Sequence, residues 1–180
     1  AANHRFGRLD APVGYDDTMR EIEDLEKAAK FFKKEGIDFM FHNHDTELNT
    51  TFSGIPILDM MYINTEDLKF ELDIGWITYG GRNPVDYINR FGSRVSAIHV
   101  KDFADGWVVQ EPMMGATRKR AMPRFTTPGT GKVKIRECLK AASELGVEWA
   151  IVEQDFQYNL TEKETLTAAY LNMKETGLVE

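Results

Sequence analysis

The chain has 180 residues, 42% apolar and 28% charged, which suits one folded domain with its own core. Its 29 acidic residues outnumber 22 basic ones for a net charge of −7, which argues against the basic stripe of a nucleic-acid-binding face. A single cysteine, Cys138, excludes an internal disulfide, and no run of about 18 apolar residues is present to cross a membrane.

Residues 1–16 carry Pro12 and Gly14 without periodicity and are expected to be irregular. From Thr18 to Glu35, Met19, Ile22, Leu25, Ala28, Ala29 and Phe32 recur at three- and four-residue spacings, which predicts an amphipathic helix. Asp16 and Asp17 are suitable N-caps, and Gly36 suits the left-handed stop. Ile37 to His42 is a short apolar run and a first strand. Gly54 to Tyr62 reads as a short helix beneath a loop. Leu68 to Leu72 is a second strand ending at Asp73, and Pro84 to Phe91 is a helix with proline in its first turn. Val95 to Val100 is a third strand, carrying His99 near its end. Residues 103–131 read as a long connection with little regular signal, a kind of loop that is usually functional or mobile. Within it Arg118, Lys119 and Arg120, with Arg124, form a short basic cluster that suits a solvated loop better than an anion site. Val133 to Leu145 is a helix closed by Gly146, with Cys138 as a half-buried helix residue rather than a nucleophile. Val147 to Val152 is a fourth strand, ending at Glu153. Thr161 to Thr176 is the last helix, opened by the capping-box pair Thr161 and Glu164.

Four strands alternating with helices predict an α/β fold with parallel pairing and right-handed crossovers. The strands are apolar through their middles, as when both faces are covered. Polar residues gather at the strand ends, where parallel α/β folds bind ligands. Those ends read FHNHD at 41–45, ELDIGW at 71–76, IHVKD at 98–102 and VEQD at 152–155. Adjacent parallel strands lie about 5 Å apart, so His42, His44, Asp73, His99 and Glu153 can converge on one ion. A mixed imidazole and carboxylate set suits Mn²⁺, Zn²⁺, Co²⁺ or Fe²⁺ better than Ca²⁺. Each motif alone has a plainer reading: a hydrogen-bonded histidine, a turn cap at Asp73, a surface pair at Glu153 and Asp155, or an exposed salt bridge at Lys101 and Asp102. The coincidence of four matching strand ends is what points to a metal. Trp76 and Trp107 stand near those ends, as a wall for a sugar ring or as ordinary packing. Gly129 and Gly131 in PGTG either bring backbone close to a ligand or make a plain turn.

Through FHNHDTE, FELDIGW, GGRNPVDYINRFGSRVSAIHVKD, PGTGKV and GVEWAIVEQD, in that order, residues 18–176 resemble the sugar phosphate isomerase/epimerase superfamily, the xylose-isomerase-like TIM barrels. The His-Asn-His-Asp motif matches one subgroup. The resemblance implies a (β/α)8 TIM barrel, present here as a partial barrel of about four βα units, with 1–180 as the C-terminal part of a single TIM-barrel domain. A complete barrel needs about 250 residues. The expectation is therefore a piece of a longer protein, or else pairing with a copy of itself as a homo-oligomer. The family's metal is held at four late strand ends. Carried over, three ligands fall on Asp73, His99 and Glu153; the fourth, usually Glu, falls on His42, with His44 as its rival. In well-understood epimerases of the family, two metal-bound Glu residues exchange protons on opposite faces of the substrate, and a His stands three residues after the Asp. Only Glu153 remains here, and Trp76 replaces that His, so a two-glutamate epimerase does not match.

The implied activity is metal-dependent isomerisation or epimerisation of a sugar or keto-sugar through an enediolate, within carbohydrate metabolism. Glu153 would remove the proton α to the carbonyl, and the ion would act as a Lewis acid. Lys101 is the candidate second acid/base, because a buried lysine beside a cation can lose its proton near neutral pH. His44 is the other group expected to return a proton. His44, Trp76, Lys101 and Trp107 are expected to touch substrate. A lyase that dehydrates a keto-sugar or an inosose shares the first step, and a catalytically inactive sugar-binding remnant is a third reading. Metal-dependent phosphodiester cleavage, as in DNA-repair endonucleases of this barrel, is disfavoured by the acidic charge and small ligand set. The expected partner is a small-molecule sugar, with no nucleic acid and no membrane. No signal peptide is visible, and the expected location is cytoplasmic.

Overall fold

The computed structural model describes residues 14–110 and 120–180. Helix α1 spans Tyr15–Lys34, starting one turn earlier than its apolar spacing suggests. Gly14 is its N-cap, while Asp16 and Asp17 sit in the first turn, where their charge favours the helix dipole. Ile22, Leu25 and Ala29 are buried, and Gly36, at φ 71°, stops the helix as expected.

Strand β1 (Met40–His42) is followed by a one-turn helix α2 (Thr46–Asn49) and two short strands, β2 (Thr51–Phe52) and β3 (Ile55–Pro56). The expected helix from Gly54 is delayed, because Ser53 and Gly54 both take positive φ and make a tight hairpin turn between β2 and β3. Helix α3 therefore begins at Ile57 and runs to Asn64. Next come β4 (Lys69–Asp73), α4 (Ile74–Tyr79), α5 (Pro84–Phe91) and β5 (Val95–Val100). The side chain of Asn83 caps α5 by accepting from Val85 N, with Pro84 in the first turn.

The stretch after β5 corrects the expected irregular connection. Strands β6 (Asp102–Gln110) and β7 (Arg120–Thr126) form an antiparallel ribbon, with Asp102 opposite Thr126 and Gln110 opposite Arg120. Of the basic cluster, Arg124 lies in this ribbon opposite Ala104. Arg118, Lys119 and the side chain of Arg120 lie outside the described residues. Helix α6 (Ile135–Glu144), β8 (Trp149–Val152) and α7 (Glu162–Lys174) complete the chain. Thr161 and Glu164 form the expected capping box on α7. Cys138 is fully buried rather than half-buried, and burial pushes its thiol up to about 12.

Strands β1, β4, β5 and β8 make one parallel sheet in that order, so each strand pairs with the next in sequence across a helical connection. Side chains alternate across it. Phe41, Phe70, Leu72, Ile98 and Val100 join the apolar core with α3, α5 and α6. His42, Glu71, Asp73 and His99 have the opposite parity, so they share the other face. Among the described residues no helix is long and apolar enough to cross a membrane.

Candidate metal centre

Strand register brings the polar ends level: His42 pairs opposite Glu71, Asp73 opposite His99, and Val100 opposite Val152, just before Glu153. One ligand atom from each of His42, Asp73, His99 and Glu153 lies within 4.8 Å of the others. His99 Nδ1 stands 2.8 Å from Glu153 Oε2, and His42 Nε2 stands 3.8 Å from Asp73 Oδ2. Asp73 is 0% exposed, whereas the Glu153 side chain is 36% exposed, so the group opens towards Glu153.

Asp73 spends Oδ1 on Trp76 N at 2.8 Å. Its Oδ2 is buried without a hydrogen-bond partner, and the nearest cation, Lys101 Nζ, is 3.4 Å away. Burial pushes the Asp73 carboxyl up despite Lys101. A buried carboxylate oxygen is costly unless something meets it. A divalent cation would meet it, and two imidazoles with two carboxylates form a donor set that such an ion accepts. The residues present therefore fit a metal.

His44 lies beside this group and not in it. Its ring is edge-on to His42 with centroids 5.0 Å apart, and its backbone N donates to Glu47 Oε2 at 2.6 Å. Shared strand parity does not pair the two histidines, because β1 stops at His42. Between them Asn43 is fully buried; its Oδ1 accepts from Asp73 N at 3.0 Å, tying the end of β1 to the end of β4.

Lys101 is 1% exposed, with Nζ 2.8 Å from Asp155 Oδ2, 3.1 Å from Glu153 Oε2 and 3.4 Å from Asp73 Oδ2. Burial alone would favour the neutral amine, but Asp73, Asp155 and Glu153 outweigh it and raise its pKa. Without an ion the three carboxylates thus favour the charged Lys101, whereas the expected proton loss was for a lysine with a cation beside it. Lys101 and Asp102 are both buried and do not form an exposed pair. Asp102 instead accepts from the backbone N of Phe103, Gly129, Gly131 and Val133. The PGTG backbone is occupied by this carboxylate, and a Cβ on Gly131 would overlap it. Of its two sequence readings, the turn is the one realised.

Trp76 is buried, packed edge-on to Tyr79 and Phe125, with Lys101 Nζ 4.8 Å from its ring centroid. Trp107 is exposed on the ribbon, its ring 5.5 Å from Tyr79. For His99, burial opposes the charge, but hydrogen bonds to Glu153 and Glu71 push its pKa up to about 9. The His99 hydrogen bond, with help from Lys101, outweighs burial and lowers Glu153 to about 2.

Glu71 has no place in the strand-end argument, yet it is buried against both His42 and His99. Its signal in the sequence is its parity with Asp73, two residues on along one strand. Asp155 was readable only as a surface acid; its bond to Lys101 depends on the fold.

The model of a family described as xylose isomerase-like TIM barrel matches residues 4–172. Inosose dehydratase from Clostridium beijerinckii is 26% identical over 167 residues, covering 83% of this chain and 53% of the relative. A solved sugar phosphate isomerase/epimerase from Parabacteroides distasonis superposes with a TM-score of 0.70 at 22% identity, over 96% of this chain and 57% of that one. D-allulose 3-epimerase from a Methylomonas species gives a TM-score of 0.59 at 14% identity, over 95% and 59%. The chain spans about half the length of the curated relatives it matches.

Proposed function

Because the chain belongs to the xylose isomerase-like TIM-barrel family, we propose that it performs metal-dependent, one-base chemistry at the carbon beside the carbonyl of a keto-sugar or ketocyclitol. In this reading residues 1–180 are the C-terminal part of one barrel domain. His42, Asp73, His99 and Glu153 would hold a divalent ion, which supplies Lewis-acid polarisation of the substrate's carbonyl and neighbouring hydroxyl when bound.

The carrying observation is the contrast between the group's two carboxylates. Asp73 is fully buried, and Glu153 is not. Glu153 is the one carboxylate of the four ligands that can reach a substrate. It accepts the α-proton on a carboxylate oxygen. Lys101 Nζ, too buried to touch substrate, holds Glu153 and Asp155 in place. His44 and the exposed Trp107 are the side chains left to steady sugar hydroxyls and ring.

A single base works on one face of the substrate. It can pass the proton it has taken to a departing β-hydroxyl; C–H and C–O bonds break, a C=C bond forms and water leaves. It can also return the proton to the neighbouring carbon, which is isomerisation. Inversion by two opposed bases is outside its reach. Dehydration is the first reading, in keeping with the relative named inosose dehydratase. Isomerisation is the second, favoured by the same reach of Glu153.

The test is incubation of the metal-replete protein with an inosose and with a ketohexose in D2O, followed by NMR and mass spectrometry. Loss of water with an unsaturated product is expected, and Glu153→Gln should abolish it. An isomeric product that has lost no water, with or without deuterium, would select isomerisation. With metal bound, the absence of any dehydrated product, any isomer and any α-exchange on both substrates would sink both readings.

A further inference from the structure

Glu71 is 4% exposed and sits in the middle of β4, and among the described residues no lysine or arginine pairs with it. A carboxylate this deep needs partners to offset its desolvation. Its two oxygens face two different imidazoles. Oε1 is 3.1 Å from His99 Nε2, and Oε2 is 3.6 Å from His42 Nδ1, just beyond ordinary hydrogen-bond length. The other nitrogen of each ring faces the opposite way, His99 Nδ1 towards Glu153 and His42 Nε2 towards Asp73. Each histidine therefore bridges Glu71 on one side and a carboxylate of the candidate metal group on the other.

A neutral imidazole has one N–H and one lone pair, and the partner of one nitrogen decides which the other carries. An acceptor at Glu71 draws the N–H of His99 to Nε2 and that of His42 to Nδ1. The lone pairs then lie on His99 Nδ1 and His42 Nε2, both directed at the group. The two rings must adopt opposite tautomers, and one carboxylate selects both.

We propose that Glu71 is a positioning residue that clamps His42 and His99 in opposite tautomers, so that both present lone pairs to a divalent ion that Glu71 itself does not bind. This rests on the metal reading above. Carboxylates behind ligating histidines typically contribute 10–100-fold to metal affinity. The same range is expected here, carried by one side chain acting on two ligands.

The experiment titrates Zn²⁺ into the wild type, Glu71→Leu, Glu71→Gln and Asp73→Asn, and records side-chain ¹⁵N spectra of the histidines in the loaded proteins. The wild type should bind one ion, with N–H on His42 Nδ1 and His99 Nε2. Glu71→Leu should still bind one ion at saturation, about 10–100-fold more weakly. Glu71→Gln keeps the shape of the side chain but offers one accepting end, so it should also weaken binding; it carries the test if the leucine variant does not fold. Unchanged affinity in the folded variants, or the reverse tautomers, would overturn the clamp while leaving the metal reading intact. Complete loss of Zn²⁺ from both Glu71 variants, as expected for Asp73→Asn, would make Glu71 a ligand and overturn the proposal. A wild type that binds no Zn²⁺ would instead overturn the metal reading, and the clamp with it.

Discussion

Where the strands begin, the sheet sets Glu26 and Arg94 against backbone; where they end, it sets His42, Asp73, His99, Glu153 and Lys101 against one another. Glu26 accepts from the backbone N of Asp67 and Leu68. Arg94 donates to the carbonyls of Tyr62, Thr65 and Leu68, and its guanidinium lies over the rings of Tyr62 and Phe70. Those charges are matched by groups that folding itself fixes. At the other end Asp73 Oδ2 is buried without a hydrogen bond, and His42 Nδ1 is met only by Glu71 Oε2 at 3.6 Å. Buried polar groups left unmatched are uncommon and point to something other than stability. Asp102 shows that the strand-end side can satisfy a carboxylate fully, since it gathers four backbone donors there. Among the described residues the unmatched atoms at that end also include Trp76 Nε1 and Gln154 Oε1, so they gather around the candidate ligands and not only on them.

The contrast can be broken first by stability. Arg94→Ala should cost about 3 kcal/mol, because it removes charged hydrogen bonds and leaves carbonyls without donors. Asp73→Asn in the metal-free protein should cost less than about 1 kcal/mol, since Oδ1 still accepts from Trp76 N and a buried charge is removed. Urea denaturation of both variants measures the difference. Equal losses would mean that both ends are built for stability alone.

A smaller effect sharpens the contrast by pH. His99 has a pKa near 6.5 when unfolded and about 9 in the metal-free fold. A raised histidine pKa stabilises the fold fully below about 6.5, and that contribution is lost as pH rises through about 9. It amounts to at most about 3 kcal/mol, and less where the coupled Glu153 relaxes. Thermal melts of the metal-free protein should therefore fall across this window, and His99→Gln should flatten the slope. A wild-type profile as flat as that of the variant would contradict the buried His99–Glu153–Glu71 arrangement.

Much of this layout was legible before folding. Val95 to Val100 and Pro84 to Phe91 carry their boundaries in apolar runs and in a proline at the first helical turn. The Thr161–Glu164 cap needs only four residues to declare itself. Elements as short as Thr46–Asn49 and Thr51–Phe52 give no period to detect. The β6–β7 ribbon hid for another reason. Its register shifts between Ala104 and Trp107, which breaks the two-residue alternation, and Pro123 interrupts the second strand. At the candidate centre, the ligand types could be read from four strand ends. The choice between His42 and His44 could not, because it depends on where β1 stops. The charge on Lys101 could not either, because its three carboxylates come from β4 and from the segment after β8.

The most direct test is anomalous diffraction from crystals of the purified protein grown with Mn²⁺ or Zn²⁺, paired with elemental analysis of Asp73→Asn and His99→Ala. The account predicts one ion per chain, with its anomalous peak between Asp73, His99, Glu153 and His42, and no bound ion in either variant. A peak elsewhere, or stoichiometric metal retained by both variants, would contradict it.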